Sequence, residues 1–234
     1  MYDHSLFLRT VSEFSGRLLT PYDVDAVLKD LMARLGEVFD LAGAGVALVG
    51  ADGELRSAAG FPAGVDTLEQ IQNAEQAGPC VEAFRTGEVL AISDLDQHSD
   101  RWPAYCEAAR SLGLGAAVGI PLRLLGQSIG AVDLYATGRR SWPEEDLEAA
   151  VVLADMVTAY LINASKLRQQ EQLTEQLQTA LESRTVIEQA KGVIAARHGV
   201  SIDEAFELIR RHARSRQVTV RGVADAIVTM GLEI

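Results

Sequence analysis

The chain of 234 residues is 48% hydrophobic and 23% charged, with a formal net charge of −12 at pH 7. This composition is ordinary for a soluble globular protein that buries a core in one large or two modest domains. The longest apolar runs, such as 42–50, have about nine residues, far fewer than a membrane span needs. The N-terminal residues lack the pattern of a secretory signal, and two cysteines, Cys80 and Cys106, do not form a disulfide scaffold. We therefore expect a cytoplasmic protein with no membrane partner.

The charge is distributed unevenly along the chain. Residues 1–165 contain 11 Lys and Arg but 24 Asp and Glu, whereas residues 184–221 contain eight basic and four acidic residues. The eight basic residues are Arg184, Lys191, Arg197, Arg210, Arg211, Arg214, Arg216 and Arg221. Because the acidic part would repel nucleic acid, any contact with a polyanion is expected in the last quarter.

The first 163 residues predict alternating helices and strands. After an N-terminal helical segment (1–19), Thr20 as N-cap and Pro21 as the first helical residue predict a helix that ends near Phe39. Asp52-Gly53 is a hairpin turn signal between two strands. The other predicted elements are strands over 42–50, 54–60, 88–95, 116–124 and 129–137, and helices over 66–76, 79–87 and 102–112.

A long helix is predicted from Ser141 to about His198. Between 149 and 183 there is no Gly or Pro, and the composition changes from apolar to rich in Gln and Glu. The polar part keeps a sparse leucine seam, formed by Leu167, Leu173, Leu177 and Leu181. Two interpretations remain open for this linker (164–183): a single solvated connector helix or a parallel coiled-coil homodimer.

The order of helices and strands indicates an α+β fold around an antiparallel sheet. The segments GPCVEAFRTGEVLAISDL (78–95) and RWPAYCEAARSLGLGAAVGIPLRLLGQSIGAVDLYATGRRSWPEEDLEAA (101–150) resemble the GAF family. The resemblance implies a sensor domain over 20–163 and leaves its small-molecule effector unknown. A bilin is disfavoured because Glu107, not His, follows Cys106, and haem is disfavoured because His98 lies in a polar, loop-like segment.

No catalytic or metal site is evident in this region. A redox pair of Cys80 and Cys106 is disfavoured because no basic residue adjoins either thiol to lower its pKa. Neither a carboxylate pair, a nucleophile–base pair nor a metal-spaced His/Cys cluster stands out. The protein is therefore predicted not to be an enzyme, with a small redox enzyme of the GAF fold, using Cys80 and Cys106, as an alternative.

The last segment predicts a three-helix bundle. At 100° per residue, apolar residues fall on one face of each helix, and Ser201 with Glu204 forms a capping box between the first two helices. Phe206, the only aromatic residue of the segment, is predicted to be the centre of the core. The predicted core residues of the bundle are Ala190, Phe206, Ile209 and Ala224. Replacing Phe206 with Ala is then expected to cost about 3–5 kcal/mol.

The phrases SRTVIEQAKGVI, SIDEAFELIRRHAR and VRGVADAIV resemble the ANTAR family over about 175–231. The resemblance implies a transcription antitermination regulator, with an RNA-binding domain over 175–234, whose dimers hold paired hairpins of a nascent leader transcript. The residues expected to contact RNA are Arg184, Lys191, Arg210, Arg211 and Arg214. A DNA-binding regulator is the alternative, because helix-turn-helix modules are also small basic helical bundles.

Overall fold

The computed structural model describes residues 2–62 and 65–234, and it confirms the predicted α+β class. The chain forms two compact units, Met1–Ser165 and Lys166–Ile234. The N-terminal unit contains a five-stranded antiparallel sheet in the order β2-β1-β5-β4-β3. Its strands are β1 (Gly43–Val49), β2 (Leu55–Phe61), β3 (Leu90–Ile92), β4 (Leu114–Leu124) and β5 (Gln127–Thr137).

The helices agree with the sequence prediction except at some ends. They are α1 (His4–Arg17), α2 (Val24–Phe39), α3 (Val65–Glu75), α4 (Pro79–Thr86), α5 (Pro103–Ser111), α6 (Glu144–His198), α7 (Ile202–Arg216) and α8 (Val220–Met230). Helix α2 begins at Val24 and not after Thr20, because the carboxylate of Asp23 accepts the Ala26 N–H at 2.8 Å and caps the helix. The strand expected over 88–95 is short and is followed by a 3₁₀ helix over Leu95–His98.

The two faces of the sheet have different cores. Val132 and Leu134 of β5 pack in one large cluster with residues of α2 and α6. The next residue, Tyr135, packs on the other face, in a cluster with residues of α3 and α5. Because successive side chains of a strand point to opposite faces, Asp133 shares the side of Tyr135.

Helix α6 contains one stretch that is long and apolar enough to cross a membrane by length and composition. Half of that stretch is buried within the protein. Leu153, Val157 and Tyr160 are fully buried there, in the large core cluster that includes β5. Packing on the sheet therefore accounts for the apolar character of this stretch.

The C-terminal unit is built from the end of α6 with α7 and α8. Its buried core consists of Ala190, Ile194, Ala205, Ile209, Ala213, Val223, Ala224 and Ile227. Half of these residues are alanines, which allow helices to approach each other closely. The predicted capping box is confirmed, since Ser201 Oγ accepts the Glu204 N–H while the Glu204 carboxylate accepts the Ser201 N–H at 2.9 Å.

Candidate nucleic-acid interface and buried polar cluster

The prediction that Phe206 centres the bundle core is wrong. Ala190, Ile209 and Ala224 are fully buried, but Phe206 is only half-buried. The core stripe of α7 follows Ala205, Ile209 and Ala213, and Phe206 lies about 100° around the helix from Ala205. The alanine-rich core leaves the ring at the border between core and solvent.

Two cations flank the ring of Phe206. Lys191 Nζ lies 5.4 Å and the Arg210 guanidinium carbon 5.7 Å from the ring centroid. These distances are within the range of cation–π contacts. The sequence analysis predicted this ring to be the centre of the core, whereas the structure places it, half-buried, between two basic side chains.

Both flanking cations also form ion pairs along their own helices. Lys191 Nζ lies 2.9 Å from Glu188 Oε1, and Arg210 Nη1 lies 2.7 Å from Glu207 Oε1. The Arg210–Glu207 pair is exposed and contributes about 0–1 kcal/mol, so a phosphate group can displace Glu207 at small cost, whereas the Lys191 side chain is only 13% exposed.

Three further arginines of the predicted interface are exposed: Arg184, Arg211 and Arg214. Within the described part of the chain, none of them has an acidic partner within 4.0 Å. Arg214 follows Arg210 by one turn of α7, and Lys191 follows Arg184 by two turns of α6, so each pair shares a helix face. We call the set of Arg184, Lys191, Phe206, Arg210, Arg211 and Arg214 the cation–aromatic surface.

The other basic residues of the unit have different surroundings. Arg197 Nη1 donates to the backbone carbonyl of Leu232 at 3.1 Å, and this bond ties the end of α6 to the C-terminal residues. Arg221 Nη2 lies 3.4 Å from Glu182 Oε2. Arg216 is exposed near the end of α7.

The N-terminal unit contains a buried polar cluster that the sequence analysis missed. The phenol of Tyr135 donates to Glu69 Oε1 at 2.6 Å, and Gln72 Nε2 donates to Asp133 Oδ2 at 3.0 Å. Gln72 Oε1 in turn accepts the backbone N–H of Cys80 at 3.1 Å. Glu69, Gln72 and Asp133 are 0% exposed, and Cys80 is 2% exposed.

Glycines on the neighbouring strands make room for this cluster. In the sheet, Asp133 pairs with Gly45 of β1 on one side and Gly119 of β4 on the other. A Cβ atom on Gly45 would lie 2.2 Å from Glu69 Oε1, and one on Gly119 would lie 2.5 Å from the Pro79 carbonyl oxygen. Only glycine at these positions lets α3 and α4 approach the sheet this closely.

Burial changes the ionisation of the cluster. Desolvation raises the pKa of Asp133 to about 6, while hydrogen bonds from Cys80, Gln72 and Tyr135 act in the opposite direction. Desolvation and repulsion from Asp133 raise the pKa of Glu69 well above its usual value. Desolvation also raises the pKa of the Cys80 thiol. A carboxylate pair held this way can share a proton or bind a cation.

The sequence contained one signal of this cluster. In the strand segment IGAVDLYAT, Asp133 is the only charged residue, and the largely apolar run around it indicates a strand that is buried on both faces. Its partner Glu69 lies in α3, on a helix face that looks unremarkable in the sequence, so the carboxylate pair appears only when the chain folds.

Of the three residues weighed for redox and haem chemistry, Cys80 belongs to this cluster, whereas Cys106 and His98 have other partners. Cys106 is buried, its Sγ donates to the Leu95 carbonyl at 3.4 Å, and burial raises its pKa. Both cysteines are free thiols. His98 is half-buried, and its ring stacks on Trp102 with centroids 5.5 Å apart.

Comparison with protein families agrees with the two units. A model of the GAF domain matches residues 23–161, which is more than half of the chain, and a model of the ANTAR domain matches residues 175–228. The chain therefore belongs to the GAF family and carries a C-terminal ANTAR domain.

Among characterised proteins, the chain is similar to the transcriptional regulatory protein PdtaR from two strains of Mycobacterium tuberculosis, CDC 1551 and H37Rv. Identity is 31% over 83 residues, which are 34% of this chain and 40% of each relative. The match thus spans well under half of the length of these relatives.

Solved structures similar to the chain share its GAF fold. A GAF domain of a phosphoenolpyruvate-protein phosphotransferase from Coxiella burnetii has a TM-score of 0.55 at 19% identity, covering 70% of this chain and 98% of that one. The free methionine-R-sulfoxide reductase from Neisseria meningitidis, in complex with its substrate, has a TM-score of 0.54 at 20% identity, covering 70% and 92%. Identities this low show the fold alone.

Proposed function

We propose that the protein is a signal-responsive transcription antitermination regulator that binds paired hairpins in a nascent leader RNA. Binding would hold the hairpins and so prevent formation of a competing terminator hairpin. The ANTAR match and the similarity to a transcriptional regulatory protein support this class of function. A regulator of nascent transcripts would act in the cytoplasm.

The observation that carries the proposal is the cation–aromatic surface. Single-stranded RNA loops are recognised when unstacked bases lie on aromatic rings or guanidinium planes and phosphates meet basic side chains. Phe206 offers a ring flanked by Lys191 and Arg210, and Arg184, Arg211 and Arg214 are exposed without an acidic partner in the described residues. This combination suits a loop base better than duplex DNA, in which bases are stacked.

The linker supports a homodimer as part of the proposal. Residues 166–182 of α6 are exposed along their whole length. Leu167, Leu173, Leu177 and Leu181 are 46%, 56%, 58% and 66% exposed. A polar helix with an exposed leucine seam gains stability when it pairs with a second copy. A dimer also presents two ANTAR domains to two hairpins.

In this proposal the sensor comprises residues 20–163, after the helical segment 1–19. The linker (164–183) passes the signal to the RNA-binding domain (175–234), which shares the end of the linker. The GAF match supports the sensor assignment, and a small-molecule effector would bind there.

The central experiment is a salt-matched binding comparison. RNA that co-purifies with the full-length protein from its own cells is sequenced, and a segment with two stem-loops is made as the probe. We expect this RNA to bind more tightly than its single stem-loops and than duplex DNA of the same length. Equal affinities for RNA and duplex DNA would favour the DNA-binding alternative.

Individual arginines are tested by the salt dependence of binding. Each lost phosphate contact should reduce the slope of log K against log salt by about 0.7–0.9. We expect this reduction for Arg211→Gln and Arg214→Gln. Arg85→Gln is the matched control, because Arg85 is an exposed arginine of α4 in the N-terminal unit. An equal effect of all three variants would contradict the proposed interface.

Light scattering tests the dimer. The wild-type chain should have the mass of a dimer, and Leu177→Glu should shift it toward a monomer by placing a charge in the seam. A wild-type monomer both with and without RNA would eliminate the paired-hairpin mechanism.

We also propose that the protein is not an enzyme, since burial raises the pKa of both thiols and so disfavours the nucleophilic thiolate. The wild-type chain is assayed for reduction of free methionine sulfoxide beside a Cys80→Ser, Cys106→Ser double variant. We expect neither to turn over substrate. Turnover by the wild type that the double variant loses would establish the redox alternative.

A further inference from the structure

The buried polar cluster brings together donor atoms from three separate elements of the N-terminal unit. Glu69 of α3, Cys80 of α4 and Asp133 of β5 each present one donor atom, and these atoms lie within 4.8 Å of one another. A tetrahedral ion with bonds of about 2.0–2.3 Å holds its ligand atoms about 3.3–3.8 Å apart. Small side-chain movements would therefore place all three donors around one ion.

We propose that Glu69, Cys80 and Asp133 bind a divalent transition metal ion of the zinc type. This inference does not depend on the proposed RNA-binding function.

The hydrogen bonds around the two carboxylates match those of metal ligands. Tyr135 fixes Glu69 Oε1, and Gln72 fixes Asp133 Oδ2. The second oxygen of each group, Glu69 Oε2 and Asp133 Oδ1, is buried without a hydrogen-bond partner. Carboxylate ligands in metal sites are oriented in this way, with one oxygen held by an outer group.

Tyr105 packs in the same core cluster as Tyr135, which contacts Glu69. The phenol of Tyr105 is 2% exposed and its hydroxyl has no hydrogen-bond partner in the described residues. We take this hydroxyl, or a water molecule that it binds, as the candidate for the fourth ligand of a four-coordinate ion.

Two glycines allow close packing around the cluster. A Cβ atom added to Gly45 would lie 2.2 Å from Glu69 Oε1, and one added to Gly78 would lie 2.2 Å from Gln72 Oε1. A larger residue at either position would displace the side chains of the cluster.

The charge of the cluster favours a cation. The donors that the described residues bring to the two carboxylates are neutral: the Gln72 amide, the Tyr135 phenol and the Cys80 thiol. Buried charges are normally paired or bound to metal. A divalent ion would balance two of the three negative charges that Glu69, Asp133 and the Cys80 thiolate carry once their protons leave to solvent.

The thiol decides the class of metal. Thiolate ligands select zinc and other soft or borderline ions, whereas Mg²⁺ and Ca²⁺ prefer oxygen ligands alone. Bound metal is therefore first removed from the full-length protein with a chelator. The protein is then titrated with Zn²⁺ and with Co²⁺, and the thiolate complexes of Co²⁺ absorb light. Mg²⁺ and Ca²⁺ serve as controls.

We expect one Co²⁺ per chain, with a thiolate-to-cobalt absorption band that Zn²⁺ abolishes and Mg²⁺ does not. Cys80→Ser should lose the band, while Cys106→Ser should keep it, because Cys106 is an equally buried thiol bonded instead to the Leu95 carbonyl. Loss of an outer-shell partner costs about 10–100-fold in metal affinity, so Asp133→Asn, which removes a ligand, should weaken Zn²⁺ binding by at least tenfold.

Thermal unfolding gives an independent measurement. Both tryptophans, Trp102 and Trp142, lie in the N-terminal unit, so their fluorescence follows the unfolding of that unit. Zn²⁺ should raise its melting temperature in the wild type and in Cys106→Ser but not in Cys80→Ser. Asp133→Asn removes a buried charge and should fold without metal, so it remains informative if Cys80→Ser does not fold. Absence of stoichiometric binding, or equal binding by wild type and Asp133→Asn, would overturn the proposal.

Discussion

Small residues have opposite effects in the two units. In the N-terminal unit, Gly45 and Gly119 flank Asp133 and admit the Glu69 carboxylate and the backbone of α4 against the sheet. In the C-terminal unit, the alanines at 190, 205, 213 and 224 fill the core and leave Phe206 at its border. The first unit therefore buries acidic groups, whereas the second holds a half-buried aromatic ring between cations. Local side-chain volume decides which groups meet solvent in each unit.

The largest expected effect is on the core of the C-terminal unit. Ile209 is fully buried among alanines, which cannot move to fill the space that a smaller residue would leave. Ile209→Ala should lower the free energy of unfolding of this unit by about 2–5 kcal/mol. Circular dichroism should detect the loss, while tryptophan fluorescence, which reports on the N-terminal unit, should not change its midpoint.

The control for that prediction is Val228→Ala. Val228 on α8 is 38% exposed, so its substitution does not leave an enclosed space in the core. It should cost well under half as much. Equal destabilisation by the two variants would show that the stability of this unit does not come mainly from its buried core.

The next effect concerns the glycines of the sheet. In Gly119→Ala the new methyl group would lie 2.5 Å from the backbone oxygen of Pro79, and a backbone atom cannot move without shifting α4. Overpacking of this kind costs about 1–3 kcal/mol. Tryptophan fluorescence in a denaturant titration measures the loss in the N-terminal unit.

A second glycine provides a control with the opposite sign. Gly36 lies within α2, and a Cβ atom there would meet nothing within 4 Å. Gly36→Ala should therefore stabilise the unit by about 0.5–1 kcal/mol, the usual gain from Ala over Gly in a helix. Stabilisation by both substitutions would refute the close approach of α4 to the sheet.

Phe206→Ala separates binding from stability. Full burial of a Phe side chain contributes about 1.5–3 kcal/mol, so loss of the half-buried ring should cost about 1–2 kcal/mol, and the bundle should stay folded. Stacking of one base contributes about 1–3 kcal/mol, and the variant should bind hairpin RNA about 5- to 150-fold more weakly. Weaker binding by Phe206→Ala but not by Phe206→Tyr would identify the ring itself as the contact.

Local patterns in the sequence predicted most of the fold. Alternation and turn signals located the strands, and the Ser201–Glu204 spacing predicted the capping box. The position of Phe206 was not predictable by periodicity, because a residue 100° from the stripe is buried or exposed according to the volume of the facing helices. The small residues that decide this volume lie in α6 and α8, so the burial of Phe206 depends on contacts between separate helices.

The buried polar cluster could not be predicted from the sequence for a related reason, because it too depends on contacts between separate elements. Glu69 and Asp133 are far apart in the chain, and although Asp133 stands out in an apolar strand, Glu69 has an ordinary local context. What joins them is the register that sets Gly45 and Gly119 beside Asp133. Register between strands is fixed by the whole sheet, and no short motif encodes it.

The smallest expected effect is at the N-terminus of α7, where a local motif predicted the structure. Ser201→Ala removes the acceptor of the Glu204 N–H and should cost about 0.5–2 kcal/mol, measured by circular dichroism. Hydrogen bonds from Ser201 lower the pKa of Glu204 below its usual 4.5. The pKa of Glu204 is lower in the folded than in the unfolded state. The stabilisation from its ionised carboxylate is therefore complete above the usual pKa and is lost as the pH falls through the folded pKa.

Glu204→Gln is the control for this pH dependence. Glutamine also forms capping boxes but does not titrate, so the variant should keep the helix start and lose the dependence on acid. A wild type and Glu204→Gln with parallel stability curves between neutral and acid pH would show that the Glu204 carboxylate does not stabilise the folded unit. The stability of the bundle would then depend on its apolar core and on the Ser201 hydroxyl. The charge of Glu204 at this helix end would then contribute nothing to folding.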